Sequence, residues 1–234
     1  MKENYVSLSV EDGTNMDAYT SFPKQGNGPF AGILLFQEAF GVNHHIRNVA
    51  DRLASQGYIV IAPELFHRTG ASLDLAYTDF PSVMPHMKAM TAEGLEVDAK
   101  AAFNWLQQQN SIIKNKIGSI GFCMGGRVSF IANIVLPLQA AVSYYSGNMQ
   151  LIADRLHEIH GPHLMFWGGL DKHITPDQIE TVVKALQEAK KEYINVTISY
   201  ADHAFNCDER PSYHAQAAKE AWALTLAFFE NKLK

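Results

Sequence analysis

A cysteine framed by glycines has the clearest chemical meaning in this sequence. Cys123 is the centre of Gly-Phe-Cys-Met-Gly at positions 121–125, between a short apolar run and a segment with helical spacing. Gly-x-Cys-x-Gly between a strand and a helix is the nucleophile-elbow pattern with cysteine in place of serine. So sharp a turn strains the central residue and needs neighbours without a Cβ atom. The turn would hold the sulfur at a helix N-terminus, which favours the thiolate. The pattern predicts a cysteine hydrolase.

Such a nucleophile needs a base and a group that orients the base, and both follow it in chain order. Asp171 comes directly after one predicted strand, and His203 comes directly after the last one. His203 would accept the thiol proton or pair with the thiolate, and Asp171 would fix its tautomer. Aspartate after a strand is more often a turn former or helix cap. Here Thr175 and Asp177 offer better capping chemistry for the next helix, which leaves Asp171 free.

Two backbone N–H groups should stabilise the negative charge that develops on the attacked carbonyl oxygen. Met124, directly after the nucleophile, is one candidate, and Ala39, in the loop after an early strand, is the other. The neighbouring Glu38 is unusual, since a carboxylate near a cysteine opposes thiolate formation or accepts its S–H. Its ordinary alternative is a glutamate on a surface loop.

Strand-like and helix-like segments alternate from residue 30 onward. Cys123, Asp171 and His203 each follow a predicted strand, so this alternation would place them on the same edge of the sheet. The predicted strands are short, apolar and nearly continuous in hydrophobicity, as in parallel strands buried on both faces; they cover residues 31–36, 58–62, 117–122, 140–145, 163–167 and 194–200. Residues 5–10 and 16–19 around Asp12-Gly13 indicate an antiparallel hairpin instead. The sequence predicts an α/β fold with one open, mostly parallel sheet and helices on both faces.

Composition bounds the class of protein. Length predicts a single domain over residues 1–234, and the net charge of −5 with no basic stripe argues against nucleic acid as a partner. No apolar run approaches a membrane span, and the two cysteines, Cys123 and Cys207, indicate a reduced, cytoplasmic setting. His44-His45 and the set His157, His160 and His163 lack recognised ligand spacing, so we expect no metal. The nucleotide-binding glycine motifs are missing, so we expect no cofactor.

Taken together, the motifs identify a resemblance that covers nearly the whole chain. Residues 37–42, 53–63 and 118–126, with the strand-end positions of Asp171 and His203, resemble the dienelactone hydrolases (carboxymethylenebutenolidases), cysteine members of the α/β-hydrolase fold. The resemblance implies a triad of Cys123, His203 and Asp171. It also implies that Glu38 keeps the resting thiol neutral until substrate displaces it. The implied reaction is hydrolysis of an enol-lactone or related ester, without a cofactor, by a monomer or homodimer.

Substrate specificity is expected to depend on aromatic side chains, above all Phe40, Tyr145 and Phe205. In the family's best-known members, arginines hold the substrate carboxylate; here the first arginine after His203 is Arg210, and residues 77–87 contain none. Arg127, one helical turn after the nucleophile, could serve, although a helix-packing ion pair is its ordinary role. Residues 63–85 form the longest predicted irregular segment and could be a lid. A promiscuous short-acyl esterase or thioesterase, and a non-catalytic ligand-binding protein, remain alternatives.

Overall fold

A computed structural model describes residues 3–70 and 73–234, and its core is one eight-stranded sheet. The strands are β1 (Tyr5–Ser9), β2 (Asn15–Ser21), β3 (Phe30–Phe36), β4 (Tyr58–Pro63), β5 (Ile112–Phe122), β6 (Ala140–Tyr144), β7 (His163–Gly168) and β8 (Tyr193–Ile198). Their order is β1-β2-β4-β3-β5-β6-β7-β8. β1 and β2 pair antiparallel, as do β2 and β4, whereas every other neighbouring pair is parallel. The predicted hairpin and mostly parallel sheet are therefore confirmed.

Helices cover both faces of the sheet. They are α1 (His44–Ser55), α2 (Phe80–Ala89), α3 (Ala92–Gln108), α4 (Met124–Val135), α5 (Pro176–Glu188) and α6 (Ala215–Leu233), with short 3-10 helices at Met149–Leu151 and Ala153–Glu158. α1 and α6 share one face, where the Arg52 guanidinium lies 4.0 Å from the centroid of the Trp222 ring. α3 and α4 pack together on the opposite face. Because β3, β4, β6 and β7 lie inside the sheet and under these helices, their side chains are almost all buried.

The predicted irregular segment 63–85 is wrong at its C-terminal end, because α2 begins at Phe80. The Asp79 side chain accepts a hydrogen bond from the backbone N–H of Ser82 and caps the helix. Pro81 lies in the first turn of α2, where a missing N–H costs no hydrogen bond. Two predicted strands also end earlier than expected, at Tyr144 and Ile198. That residues 1–234 form a single domain stays a prediction.

Candidate active site

Cys123 occupies a strained turn between β5 and α4. Its backbone has φ 53° and ψ −116°, in a region that residues with a side chain rarely adopt. The flanking glycines are required sterically: a Cβ at Gly121 would lie 1.9 Å from the carbonyl oxygen of Gly125, and one at Gly125 would lie 2.3 Å from that of Phe36. The Cys123 N–H donates to Tyr144 across the sheet at 3.0 Å. The sequence-predicted elbow is therefore present, with a partly exposed sulfur at the carboxyl edge of the sheet.

Asp171 and His203 meet because the loops after β7 and β8 are tied together. Leu170 donates its backbone N–H to the carbonyl of Ala201 at 2.9 Å. Gly168 permits this approach, since a Cβ there would lie 2.7 Å from the Ala201 oxygen. His203 Nδ1 lies 2.7 Å from the Asp171 carboxylate, whose side chain is 1% exposed. The same carboxylate also accepts hydrogen bonds from the backbone N–H groups of His173 and Ile174. Asp171 therefore both orients the imidazole and stabilises its own turn.

The charge state of this pair follows from its contacts. Burial disfavours the imidazolium of His203, but interaction with the Asp171 carboxylate and the Cys123 sulfur outweighs burial and raises its pKa to about 10. Burial opposes ionisation of Asp171, yet His203 and two backbone N–H groups hold its pKa below the ordinary value. Asp171 and His203 are therefore joined as predicted, and the imidazole also interacts with the Cys123 sulfur.

Strained backbone concentrates around this group. Besides Cys123, Tyr145 has φ 40° and Ala204, next to His203, has φ 62°. The rings of Tyr145 and Phe205 are fully buried and pack together, with centroids 5.3 Å apart, and the Tyr145 ring lies 5.1 Å from that of His203. Tyr145 therefore packs beside the imidazole, and Phe205 packs against Tyr145. Their predicted contact with substrate stays a prediction.

The loop after β3 supplies Glu38 and Ala39, and Met124 is the first residue of α4. Ala39 and Met124 are both buried, and within residues 3–70 and 73–234 neither backbone N–H has a hydrogen-bond acceptor. Glu38 is fully buried; Tyr145 donates its hydroxyl to one carboxylate oxygen at 3.5 Å, and the other oxygen has no partner among the described residues. No hydrogen bond joins Glu38 to the Cys123 sulfur in the described part of the chain. One carboxyl oxygen of Glu38 is therefore left without a hydrogen-bond partner among the described residues.

A cap covers this loop, formed by residues 73–77 and α2. Phe40, Ala39 and Val83 make a small hydrophobic cluster separate from the main core. The Tyr77 hydroxyl ties the cap down: it accepts hydrogen bonds from Asn43 at 2.9 Å and from Cys207 at 3.2 Å. Burial is the main reason that the pKa of the Cys207 thiol rises to about 12. Phe40, predicted to contact substrate, therefore packs between the cap and the site.

Arg210 and Arg127, which the sequence analysis considered, and Arg68, the nearest arginine upstream of residues 77–87, have different surroundings. Arg68 is bound bidentately by buried Asp98 at 2.8 and 2.9 Å and is also held by Asp12, so it is committed to structure. The Arg210 guanidinium lies over the rings of Phe40 and Tyr77, at 5.7 and 5.5 Å. Arg127 is 9% exposed, and the expected helix-packing ion pair is not found among the residues that the structure describes.

Two features of the site were missed at the sequence level. Asn43 caps α1, accepting the N–H of Ile46, and also binds the cap through Tyr77. Its place before an amphipathic helix is a recognisable N-cap signal, but its second partner lies 34 residues away and leaves no local pattern. Isolation of Arg127 likewise depends on neighbours that are distant in the chain.

This topology, with a strained residue between β5 and α4, is that of an α/β hydrolase. An acylaminoacyl peptidase of Pyrococcus horikoshii shares the fold, with a TM-score of 0.78 at 15% identity over 99% of this chain and 41% of that chain. None of the helices in the described residues is long and apolar enough to cross a membrane.

Closer similarities define the family. The model of the dienelactone hydrolase family matches residues 16–233. A relative in Escherichia coli (strain K12), provisionally named a carboxymethylenebutenolidase, is 35% identical over 94% of this chain and 83% of its own. A crystal structure from Klebsiella pneumoniae, provisionally named a dienelactone hydrolase, has a TM-score of 0.87 at 32% identity and covers 97% of this chain and 98% of that chain. This chain belongs to the dienelactone hydrolase family, as its motifs predicted.

Proposed function

We propose that this protein hydrolyses a small ester or lactone through a thioester acyl-enzyme, with Cys123 as nucleophile. The observation that carries the proposal is the imidazole of His203, which interacts with both the Asp171 carboxylate and the sulfur of a strained, glycine-framed cysteine. Membership of the dienelactone hydrolase family supports the reaction class. The triad itself is a proposal from geometry and chemistry.

The reaction has two balanced halves. In the first, the Cys123 sulfur, whose proton is held by His203, attacks the carbonyl carbon, whose oxygen becomes an oxyanion facing the N–H groups of Met124 and Ala39. Collapse breaks the C–O bond, and His203 returns its proton to the alkoxide. In the second half, His203 takes a proton from water, the hydroxide attacks the thioester, and the acid leaves as sulfur regains its proton. Asp171 orients the imidazole throughout.

Glu38 is proposed to modulate the nucleophile. Its buried carboxylate has one oxygen without a partner among the described residues, so it adds negative charge to the surroundings of the site. Negative charge nearby disfavours a second anion, which opposes thiolate formation in the resting enzyme. We expect Glu38→Gln to increase the alkylation rate of the resting thiol between pH 6 and 9.

Substitution of each cysteine tests the proposal. Turnover of p-nitrophenyl esters and of cis- and trans-dienelactone is compared in wild type, Cys123→Ala and Cys207→Ala, with iodoacetamide labelling mapped by mass spectrometry. We expect Cys123→Ala to lower kcat/KM by on the order of 10³-fold or more, since no other group can form the acyl-enzyme. Cys207, which is fully buried, is the matched control and should leave turnover near wild type.

The substrate panel also separates the alternatives. Hydrolysis of aliphatic and aromatic esters alike would indicate a promiscuous esterase, and preference for dienelactone would indicate the family's namesake activity. Wild-type turnover in Cys123→Ala would overturn the mechanism. A folded wild type that labels at Cys123 but hydrolyses no member of the panel would instead support a ligand-binding protein.

A further inference from the structure

A buried cation without a counter-charge lies one helical turn from the nucleophile. Arg127 follows Cys123 by four residues on α4, whose residues are all buried from Met124 to Ile134. Positions four apart lie on the same face of a helix, and side chains lean toward the helix N-terminus. The guanidinium of Arg127 is therefore carried back toward the end of α4 that holds Cys123. Only 9% of the surface of Arg127 is exposed.

No carboxylate in the described part of the chain pairs with Arg127. The elements packed against α4, and the loops around the nucleophile, carry these ionisable residues: Glu93, Glu96, Asp98 and Lys100 on α3; Asp154, Arg155, His157 and Glu158 on the 3-10 helix; Lys114 and Lys116 on β5; Tyr144 on β6; and Glu38, Tyr145 and His203 in the loops.

Glu38 is buried but forms no ion pair with Arg127 among the described residues, and the other acids in this set are engaged elsewhere or exposed. Glu96 and Glu158 both hold Arg155, and Asp98 is bound bidentately by Arg68. Glu93 and Asp154 are solvent-exposed. An unpaired buried charge is costly, so the protein retains Arg127 against a desolvation penalty. The penalty is visible as a lowered pKa of Arg127, and the opposing electrostatic interaction is with Cys123.

We infer that the anion served by Arg127 is the thiolate of Cys123, so that Arg127 is a positioning residue which stabilises the charged nucleophile from the helix side. This inference rests on the proposed role of Cys123. It places two opposite charges around one sulfur: Glu38 disfavours the thiolate and Arg127 favours it. Displacement of the Glu38 carboxylate by substrate would leave Arg127 and His203 as the charges that set the state of the sulfur. The alternative occupant, an anionic group on an incoming molecule, is an outcome of the test.

Alkylation without substrate tests the inference directly. Iodoacetamide and iodoacetate are similar in size, and with both the thiolate displaces iodide to form a C–S bond; only iodoacetate is anionic. Second-order rates at Cys123 are measured by intact mass from pH 5 to 9 for wild type, Arg127→Met, Arg127→Lys and Arg52→Gln. Arg52, on the opposite face of the sheet, is the matched control. Melting temperatures are recorded in parallel.

We expect Arg127→Met to slow both reagents by about tenfold near pH 7 and to move the rate profile to higher pH, since one nearby positive charge is lost. Arg127→Lys should recover most of the rate, and Arg52→Gln should match wild type. The melting temperature of Arg127→Met should stay level or rise, because an unpaired buried charge is replaced by an apolar side chain. A purely structural arginine would give the opposite sign.

Three results would overturn the inference. If the alkylation rate with iodoacetamide depended on pH identically in Arg127→Met and wild type, Arg127 would not stabilise the thiolate of Cys123. Slowing with iodoacetate alone would assign the guanidinium to incoming anions. Strong destabilisation of Arg127→Met would reveal a structural partner. Ester turnover by Cys123→Ala is scored separately, so loss of the proposed function is distinguishable from loss of this role.

Discussion

Gly125→Ala isolates the steric requirement of the nucleophile turn. Gly125 lies in α4, where alanine would ordinarily stabilise a helix by about 1 kcal/mol relative to glycine. Here a Cβ would meet backbone on two sides, 2.3 Å from the Phe36 oxygen and 2.4 Å from the Gln37 oxygen. Both distances are at least about 0.6 Å below the closest approach that Cβ atoms tolerate. Neither oxygen can rotate away, because both belong to the backbone at the end of β3.

Overpacking against backbone costs about 3 kcal/mol, which exceeds the helix-propensity gain. The net loss of about 2 kcal/mol corresponds to roughly 4–8 °C in melting temperature for a domain of this size. Calorimetry and urea unfolding would measure it, with Gly147→Ala as control, since a Cβ there has no atom within 4 Å. Ester turnover should fall as well, because the end of β3 leads directly into the loop of Glu38 and Ala39. Equal melting temperatures for the two variants would refute the steric reasoning.

Two further outcomes are expected from the charged groups. Arg68→Gln should lower the free energy of unfolding by about 3 kcal/mol in urea titrations, because it leaves fully buried Asp98 without its bidentate partner. Asp12→Asn, which removes the exposed partner of Arg68, is the control. An equal loss in both variants would contradict the argument. The raised pKa of His203, about 10 against an ordinary value of about 6.5, means that its protonated form stabilises the fold fully below pH 6.5 and loses this contribution as pH rises through about 10. The melting temperature should therefore fall from pH 7 to 10, with a shallower slope in His203→Gln; parallel slopes would show that His203 does not carry the effect.

The sheet could be predicted from the sequence because its signals are local. Continuous apolar runs such as 31–36 and 58–62 correspond to β3 and β4 within a residue or two, and the Asp12-Gly13 turn lies between β1 and β2. The elbow could be predicted from its local Gly-x-Cys-x-Gly pattern. A Cβ at Gly121 would meet the backbone of Gly125 in the same turn, whereas one at Gly125 would meet Phe36 and Gln37 at the end of β3.

The cap was misread because its order comes from distant partners. α2 buries only Val83 among its described residues and contains Pro85, so neither hydrophobic periodicity nor helix propensity predicts this helix. Its neighbouring segment is fixed by Tyr77, whose hydroxyl partners lie 34 and 130 residues away. The same limit applies to Arg127: an arginine on a helix usually pairs nearby, and only the three-dimensional environment reveals that the acids of its neighbours are already occupied.

The helix that begins beside Cys123 is buried on every side, and this sets the timescale on which the site can change. α4 has no solvent-facing stripe from Met124 to Ile134, so its hydrogen bonds can open to exchange only when the core itself opens. The cap rests on a small separate cluster and can open alone. Amide exchange should therefore be slowest in α4 and much faster in α2. Small molecules can enter and leave through frequent local opening of the cap. The sulfur stays in place meanwhile, because α4 opens only when the whole domain unfolds.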